Sequence, residues 1–418
     1  MYWIIWTHIN EAYRLLGNMI IGIDSSRANE AERTGTEWYS YHLIQELKKL
    51  DLKNKFRLYS PSFLKDGLEN LPANFQSRIL KSPTEMLWTQ TRLSAEMFLN
   101  PPDVLFVPAH TIPIIHPKKT VVTCHDVGFE RFPELYATHS IGPAHGLKGL
   151  AVKTAAKIAT GFKYSNNELD YHRWSMKFAL KHAEKVITVS EFTKKEIQKI
   201  YKVAGENISV IHNGFDQEKF VPIKNQAEID STLQKYGLNQ PFYLFVGRLE
   251  EKKNIVGMLE AFALARAKEP KIGEMFFVLA GRPGYGYDRI QSAIKRLDLE
   301  NSVKQTGWIT DIDRVHLLKA AKIFLFASMY EGFGIPILEA FGCGTIVITS
   351  NNTSCPEVAG DAALLCDPKN PEEISAAIIK LENSENLREN LRQKGFIRAK
   401  EFSWAKCAKE TLELLRNA

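Results

Sequence analysis

Short runs rich in β-branched and apolar residues recur along this chain with helical patterns between them, and that alternation limits its fold most. Such runs stand at residues 20–24 (IIGID), 56–59, 104–107, 121–124, 186–190 and 208–212. After Val221-Pro222 the series restarts, at 242–246, 276–280, 303–305, 323–326 and 345–349. A helix is predicted from about 37 to 49, with Tyr41, Ile44 and Leu47 along one face. Continuous apolar strands alternating with helices belong to parallel sheets covered on both faces. Two such series, joined near 213–225, predict two doubly wound α/β domains, and a chain of 418 residues is long enough for both. Open parallel sheets bind ligands beyond the carboxyl ends of their strands. Chemistry is therefore expected in the loops after strands, and in the cleft between the two domains.

The richest such loop follows the run at 323–326 and reads ASMYEGFGIPILE at 327–339. Gly332 and Gly334 permit a tight turn and a close approach to ligand. Pro336 suits the first position of a following helix, where its missing N–H costs nothing. That helix would direct free amides and the positive end of its dipole at the loop. Glu331 before the turn and Glu339 in the first helical turn are expected to face one pocket, where carboxylates accept hydrogen bonds from sugar hydroxyls. A helix-start device without ligand fits the same residues. A second loop, FVGRLEEKKN at 245–254, ends the first strand of the second series. Arg248 and Lys253 lie five apart across its turn and suit a diphosphate clamp. Lys252 is the adjacent alternative, and a solvated surface is the plain one.

The first domain offers RTGTE at 33–37, where Gly35 lets the backbone approach a phosphate or sugar. It also offers VVTCHD at 121–126, a buried run that ends in two polar residues, His125 and Asp126. A simple turn and a satisfied structural histidine are the competing readings.

EGFGIPILEA followed by GCGTIVITSN closely resembles the donor-binding segment of the family-4 glycosyltransferases, which have the GT-B fold. ITVSEFTKKEI, ISVIHNGFD, TGWITDID and the closing FSWAKCAKETLELL resemble family elements in the same order, so the likeness runs from about Met19 to the end. It implies two Rossmann-like doubly wound domains facing a cleft, with a C-terminal helix crossing back to the N-terminal domain. The implied division is an extension at 1–18, an N-terminal acceptor domain at 19–214 with the crossing helix at 402–418, and a donor domain at 222–401. By the same resemblance Glu331 contacts the transferred sugar and Glu339 the ribose hydroxyls. The amides of Phe333, Gly334 and Ile335 line the diphosphate and sugar, and Arg248 and Lys253 hold the phosphates. Backbone at Trp308 and Ile309 meets the base. His125 reaches the donor sugar, with Asp126 in a supporting role.

Asp311-Ile312-Asp313 mimics a metal-binding DxD motif but lies within the TGWITDID match, so it reads as a loop and helix start, and no metal is expected. The implied activity is retaining, metal-independent transfer of a hexose from a nucleotide diphosphate sugar to a glycan or lipid-linked acceptor. The HD element and LAGRPGYGYD at 279–288 look most like mannosyltransferase-type members. GDP-mannose is thus the first expectation for the donor and a UDP-sugar the second, with no further cofactor. A GT-B epimerase, a phosphorylase and a catalytically silent sugar-nucleotide binding protein are the alternatives.

Charge narrows the partners. Residues 1–220 carry 28 Lys+Arg against 23 Asp+Glu, and the remainder 26 against 25. This excess is too small to argue for nucleic acid, and no nucleic-acid motif is present. Between residues 135 and 167 no acidic residue occurs, and a basic amphipathic pattern at 146–163 suits either anionic lipid or the domain's own core. The five cysteines show no CxxC spacing, which points to a reducing cytoplasm, with peripheral contact at the inner face of the plasma membrane as an extension. MYWIIWTH at the start is too short to span a bilayer, and the folded domain is expected to begin near Met19 with residues 1–18 dispensable.

Overall fold

The computed structural model describes residues 18–82, 87–137, 167–222 and 225–418. The basic pattern at 146–163 and all but the last residue of the 1–18 extension lie outside these residues. The chain forms two compact units: residues up to His212 together with Trp404–Ala418, and Asn213–Ser403.

The first unit holds seven parallel strands: β1 (Ile20–Asp24), β2 (Lys55–Ser60), β3 (Phe75–Ile79), β4 (Val104–Val107), β5 (Thr120–Cys124), β6 (Lys185–Thr188) and β7 (Ile208–Val210). Their order is β3-β2-β1-β4-β5-β6-β7. The second unit holds β8 (Phe242–Val246), β9 (Phe276–Ala280), β10 (Val303–Gly307), β11 (Ile323–Phe326), β12 (Ile346–Ser350) and β13 (Ala363–Cys366), in the order β10-β9-β8-β11-β12-β13. Every residue of β1, β4, β5, β8, β9, β11 and β12 is buried, as sheets covered on both faces require. In each sheet the winding reverses once, between β1 and β4 and between β8 and β11, and the loops after those strands diverge.

Two edge strands, β3 and β13, lie outside the apolar series read from the sequence. Only Phe75 of β3 is buried, stacking on Phe56 at 4.3 Å, so FQSRI carries too little apolar signal to read as a strand. The run at 186–190 also stops short: its strand ends at Thr188, and Ser190 instead caps the helix Glu191–Tyr201 by accepting from Thr193 N at 3.1 Å. The run at 208–212 likewise ends as a strand at Val210. The helix predicted near 37–49 spans Gly35–Leu50, its start fixed by Glu37, which reaches back to the Thr34 N–H at 3.2 Å.

The closing helix Trp404–Arg416 packs against Gly35–Leu50 in the first unit. His42 stacks on Trp404 at 5.1 Å, and Arg416 reaches Asp51 at 3.0 Å. All five cysteines are buried free thiols. Burial pushes Cys343, Cys355, Cys366 and Cys407 up to about 12, and Cys124 well above its usual value. Among the described residues no helix is long and apolar enough to cross a membrane.

Candidate active site

Within the second unit, the loops after β8 and β11 leave adjacent strands at the point where the winding reverses. The loop after β8 is shaped by two glycines. Gly247 (φ +150) bonds the Ala280 carbonyl at 2.9 Å, and a Cβ on Gly281 (φ +156) would lie 1.8 Å from the Gly247 oxygen. This close pairing continues as Leu249 N to Arg282 O and Gly284 N to Leu249 O, both at 2.9 Å. The GRPG stretch is therefore the bed on which the Arg248 loop rests. Arg248 itself is 65% exposed at its side chain and points its Nε toward Glu250 Oε2 at 3.9 Å.

Three contacts fasten this loop to the one after β11. Met329 N donates to Lys252 O at 2.9 Å. Asn254, held at φ +58, donates through Nδ2 to Ala327 O at 3.0 Å. Lys253 Nζ lies 2.6 Å from Glu331 Oε1, both side chains mostly buried, with the Phe326 ring 5.6 Å beneath the ammonium. Lys252 turns the other way, to Glu250 at 3.4 Å. Of the two adjacent lysines, it is Lys253 that meets the carboxylate of the second loop.

The Glu331 loop is held from below by hydroxyls at and beyond the end of β12. Ser354 Oγ donates to Glu331 O at 3.0 Å and Phe333 O at 2.8 Å, and Ser350 Oγ to Ser328 O at 2.5 Å. Gly334 (φ +110) caps the helix Ile335–Cys343, whereas Gly332 needs no left-handed backbone. Pro336 stands second in that helix, not first as expected. Phe333, itself buried, packs its ring edge-on against Phe402 at 5.8 Å.

Glu339 is the fifth helical residue, one residue further along than a helix starting at Pro336 would put it and just past the first turn. Its partner also differs from that of Glu331: Oε1 lies 3.3 Å from Arg314 Nη1, while the buried Oε2 has no partner among the described residues. Burial raises its pKa, against the pull of Arg314. A buried carboxylate oxygen left without a donor is rare in folded proteins and suits a hydroxyl supplied by a ligand. Arg314 went unnoticed in the sequence. It pairs with Asp311 at 3.1 Å and lies over the Phe220 ring at 4.9 Å. Asp311 and Asp313 begin the helix Asp311–Ala320 and are bound to Lys219 and Lys235, each at 2.8 Å. Ile309, half-buried, and Trp308, 62% exposed beneath Arg282 at 5.7 Å, precede them.

In the first unit, Gly35 opens its helix, and no described residue comes within 4 Å of a Cβ built there. His125 follows β5 and donates through Nε2 to Pro108 O at 3.0 Å, its ring meeting Tyr39 edge-on at 4.7 Å. Burial lowers its pKa, which keeps the ring neutral. Asp126 Oδ1 accepts from Gly128 N at 2.7 Å, at the first residue of the short helix Gly128–Arg131.

Comparison with known proteins bears on the family and on the two-unit fold. The family model described as Glycosyltransferase Family 4 matches residues 33–219, and that for Glycosyl transferases group 1 matches residues 228–398. The chain is 34% identical over 254 residues to the O-antigen chain mannosyltransferase B of Escherichia coli, covering 60% of this chain and 65% of that one. It is 27% identical over 310 residues to the serotype-specific mannosyltransferase WbdA of Escherichia coli, covering 73% of this chain and 34% of that one. It thus spans from about a third to just under two thirds of these relatives' lengths. Among solved structures, the sucrose-phosphate synthase of Thermosynechococcus elongatus superimposes with a TM-score of 0.68 at 17% identity, over 96% of this chain and 99% of that one. With the two family models in tandem over two parallel-sheet units, the chain belongs to the family-4 glycosyltransferases and has the GT-B fold.

Proposed function

We propose that this protein is a retaining, metal-independent hexosyltransferase, moving mannose from GDP-mannose to a glycan or lipid-linked acceptor. The observation that carries the reading is the Lys253–Glu331 contact at the winding reversal of the second sheet. It sets a cation suited to diphosphate directly against a carboxylate suited to sugar hydroxyls. Glu339, whose buried Oε2 has no partner among the described residues, is the ribose-binding residue of this reading. Arg248, Lys253 and the amides heading the helix Ile335–Cys343 offset the charge that grows on the leaving diphosphate. The bond from the anomeric carbon to the diphosphate oxygen breaks as the acceptor oxygen bonds the same face. The acceptor's proton passes to the departing diphosphate. Glu331 orients sugar hydroxyls and supports the positive charge of an oxocarbenium-like transition state. His125, neutral and with Nε2 engaged, offers Nδ1 to a sugar hydroxyl.

Mannose is named because two relatives are mannosyltransferases, and a UDP-sugar is the second choice. Thermal shifts with GDP-mannose, UDP-glucose and ADP-glucose test the donor, and transfer to a mannose-terminated glycan in excess chelator tests the reaction. The largest shift is expected with GDP-mannose, giving an α-linked product. Release of free or rearranged sugar without transfer would overturn the reading in favour of an epimerase-type activity.

A further inference from the structure

His110, His172 and Glu168 of the first unit form a hydrogen-bonded series beside His125. His110 lies just past β4, two residues beyond the Pro108 carbonyl that receives His125 Nε2. Its own Nε2 is 2.8 Å from His172 Nδ1, on the helix Glu168–His182. His172 Nε2 is in turn 3.4 Å from Glu168 Oε1. A carboxylate only accepts, so with one proton per ring the direction is set. His172 carries its proton on Nε2 and receives the His110 Nε2–H on Nδ1, which leaves a lone pair on His110 Nδ1. Phe129 lies against both rings, at 5.8 Å from His110 and 5.3 Å from His172.

No described residue bonds His110 Nδ1, and the same holds for His125 Nδ1. Burial holds His110 well below the usual imidazole range, and His172, His125 and Arg27 add to the effect. The charged groups nearby are otherwise engaged: Arg27 with Glu37 at 3.7 Å, Asp24 with Ser26 at 2.6 Å, and Asp126 with Gly128 at 2.7 Å. Adjacent strands β4 and β5 thus each end in a neutral imidazole whose proton is committed to the protein and whose other nitrogen can only accept. A row of acceptors without donors matches a ligand rich in hydroxyls rather than an anion.

We propose that His110 is a second sugar-contacting residue of the first unit, taking a hydroxyl hydrogen bond on Nδ1 next to the one taken by His125. His172 and Glu168 are positioning residues that fix its tautomer. The proposal rests on the glycosyl-transfer reading, and two variants separate it from a merely structural role. His110→Gln keeps a donor for His172 but loses the acceptor at the δ position. His110→Asn keeps an acceptor at δ but loses the bond to His172. We expect His110→Gln to fold as the wild type yet lose about 10- to 100-fold in kcat/KM. His110→Asn should melt lower yet exceed the glutamine variant in kcat/KM. The reverse order, or equal kcat/KM in both variants, would overturn the proposal. Long-range ¹H–¹⁵N spectra of the full chain should show His110 protonated on Nε2 and its Nδ1 signal moving as methyl α-mannoside is added. A protonated Nδ1 or an unmoved signal would also overturn it. This readout stands even if no donor supports transfer, an outcome that would sink the proposed function separately.

Discussion

Lys253 Nζ and Glu331 Oε1 lie 2.6 Å apart and join the loop after β8 to the loop after β11. In the proposed reading one ammonium is shared between this carboxylate and the donor's diphosphate, so the two anions compete for it. Glu331→Gln removes the competitor and keeps the shape. Affinity for GDP alone should rise about 3- to 10-fold while transfer falls about 10²- to 10³-fold. Lys253→Met should lose both. Calorimetric titration with GDP beside initial-rate kinetics checks the split. Glu331→Ala is the poorer probe, because it leaves a mostly buried ammonium facing a void, at about 1–3 kcal/mol of stability.

Ser354 touches no ligand in this scheme, yet its hydroxyl holds the carbonyls of Glu331 and Phe333. Ser354→Ala leaves both without that donor and should cost about 1–3 kcal/mol in urea denaturation. The loosened loop should raise the donor KM more than it lowers kcat, because the position of Glu331 suffers rather than its chemistry.

Glu339 couples the site to pH. Burial raises its folded-state pKa above the usual 4.5. Between 4.5 and that raised value the folded chain keeps a proton the unfolded chain has lost, so this group's contribution to stability falls as pH rises through the window. Below 4.5 both states are protonated and the penalty vanishes. Glu339→Gln should therefore be the more stable protein at neutral pH, with the difference closing in acid. Its affinity for GDP should drop about tenfold as the ribose loses a charged acceptor. Denaturation curves from pH 4 to about 8 check the sign. Such a trade of stability for binding is common at functional sites.

The central strands were legible because burial on both faces writes itself as unbroken apolar runs, and β8 and β11 show it well. Two of the four edge strands, β3 and β13, were not: β3 buries only Phe75, so its polar residues read as loop. The glycine-rich loops were legible through residues that few other positions tolerate, as at Gly334. What could not be read was which charge meets which. Lys252 and Lys253 are neighbours of one type, and only the turn at 251–254 sends one to Glu250 and the other to Glu331. Arg314 escaped for the same reason. It lies 25 residues before Glu339, and only the packing of two helices brings them together. Glu339 falls one residue outside the expected first turn because Pro336 marks the helix start only to within a residue: Gly334 caps it and Ile335 is its first residue. His110 and His172, 62 residues apart, left no signal in the sequence at all.

The five buried thiols give the molecule a record of its own openings. A thiol reacts as thiolate, and burial suppresses that form in every one of them. Each stays silent toward an alkylating reagent until the structure around it parts. Cys124 and Cys407 belong to the first unit and Cys343, Cys355 and Cys366 to the second. The order in which they take a label is therefore a clock with two dials, telling which half of the chain comes apart first.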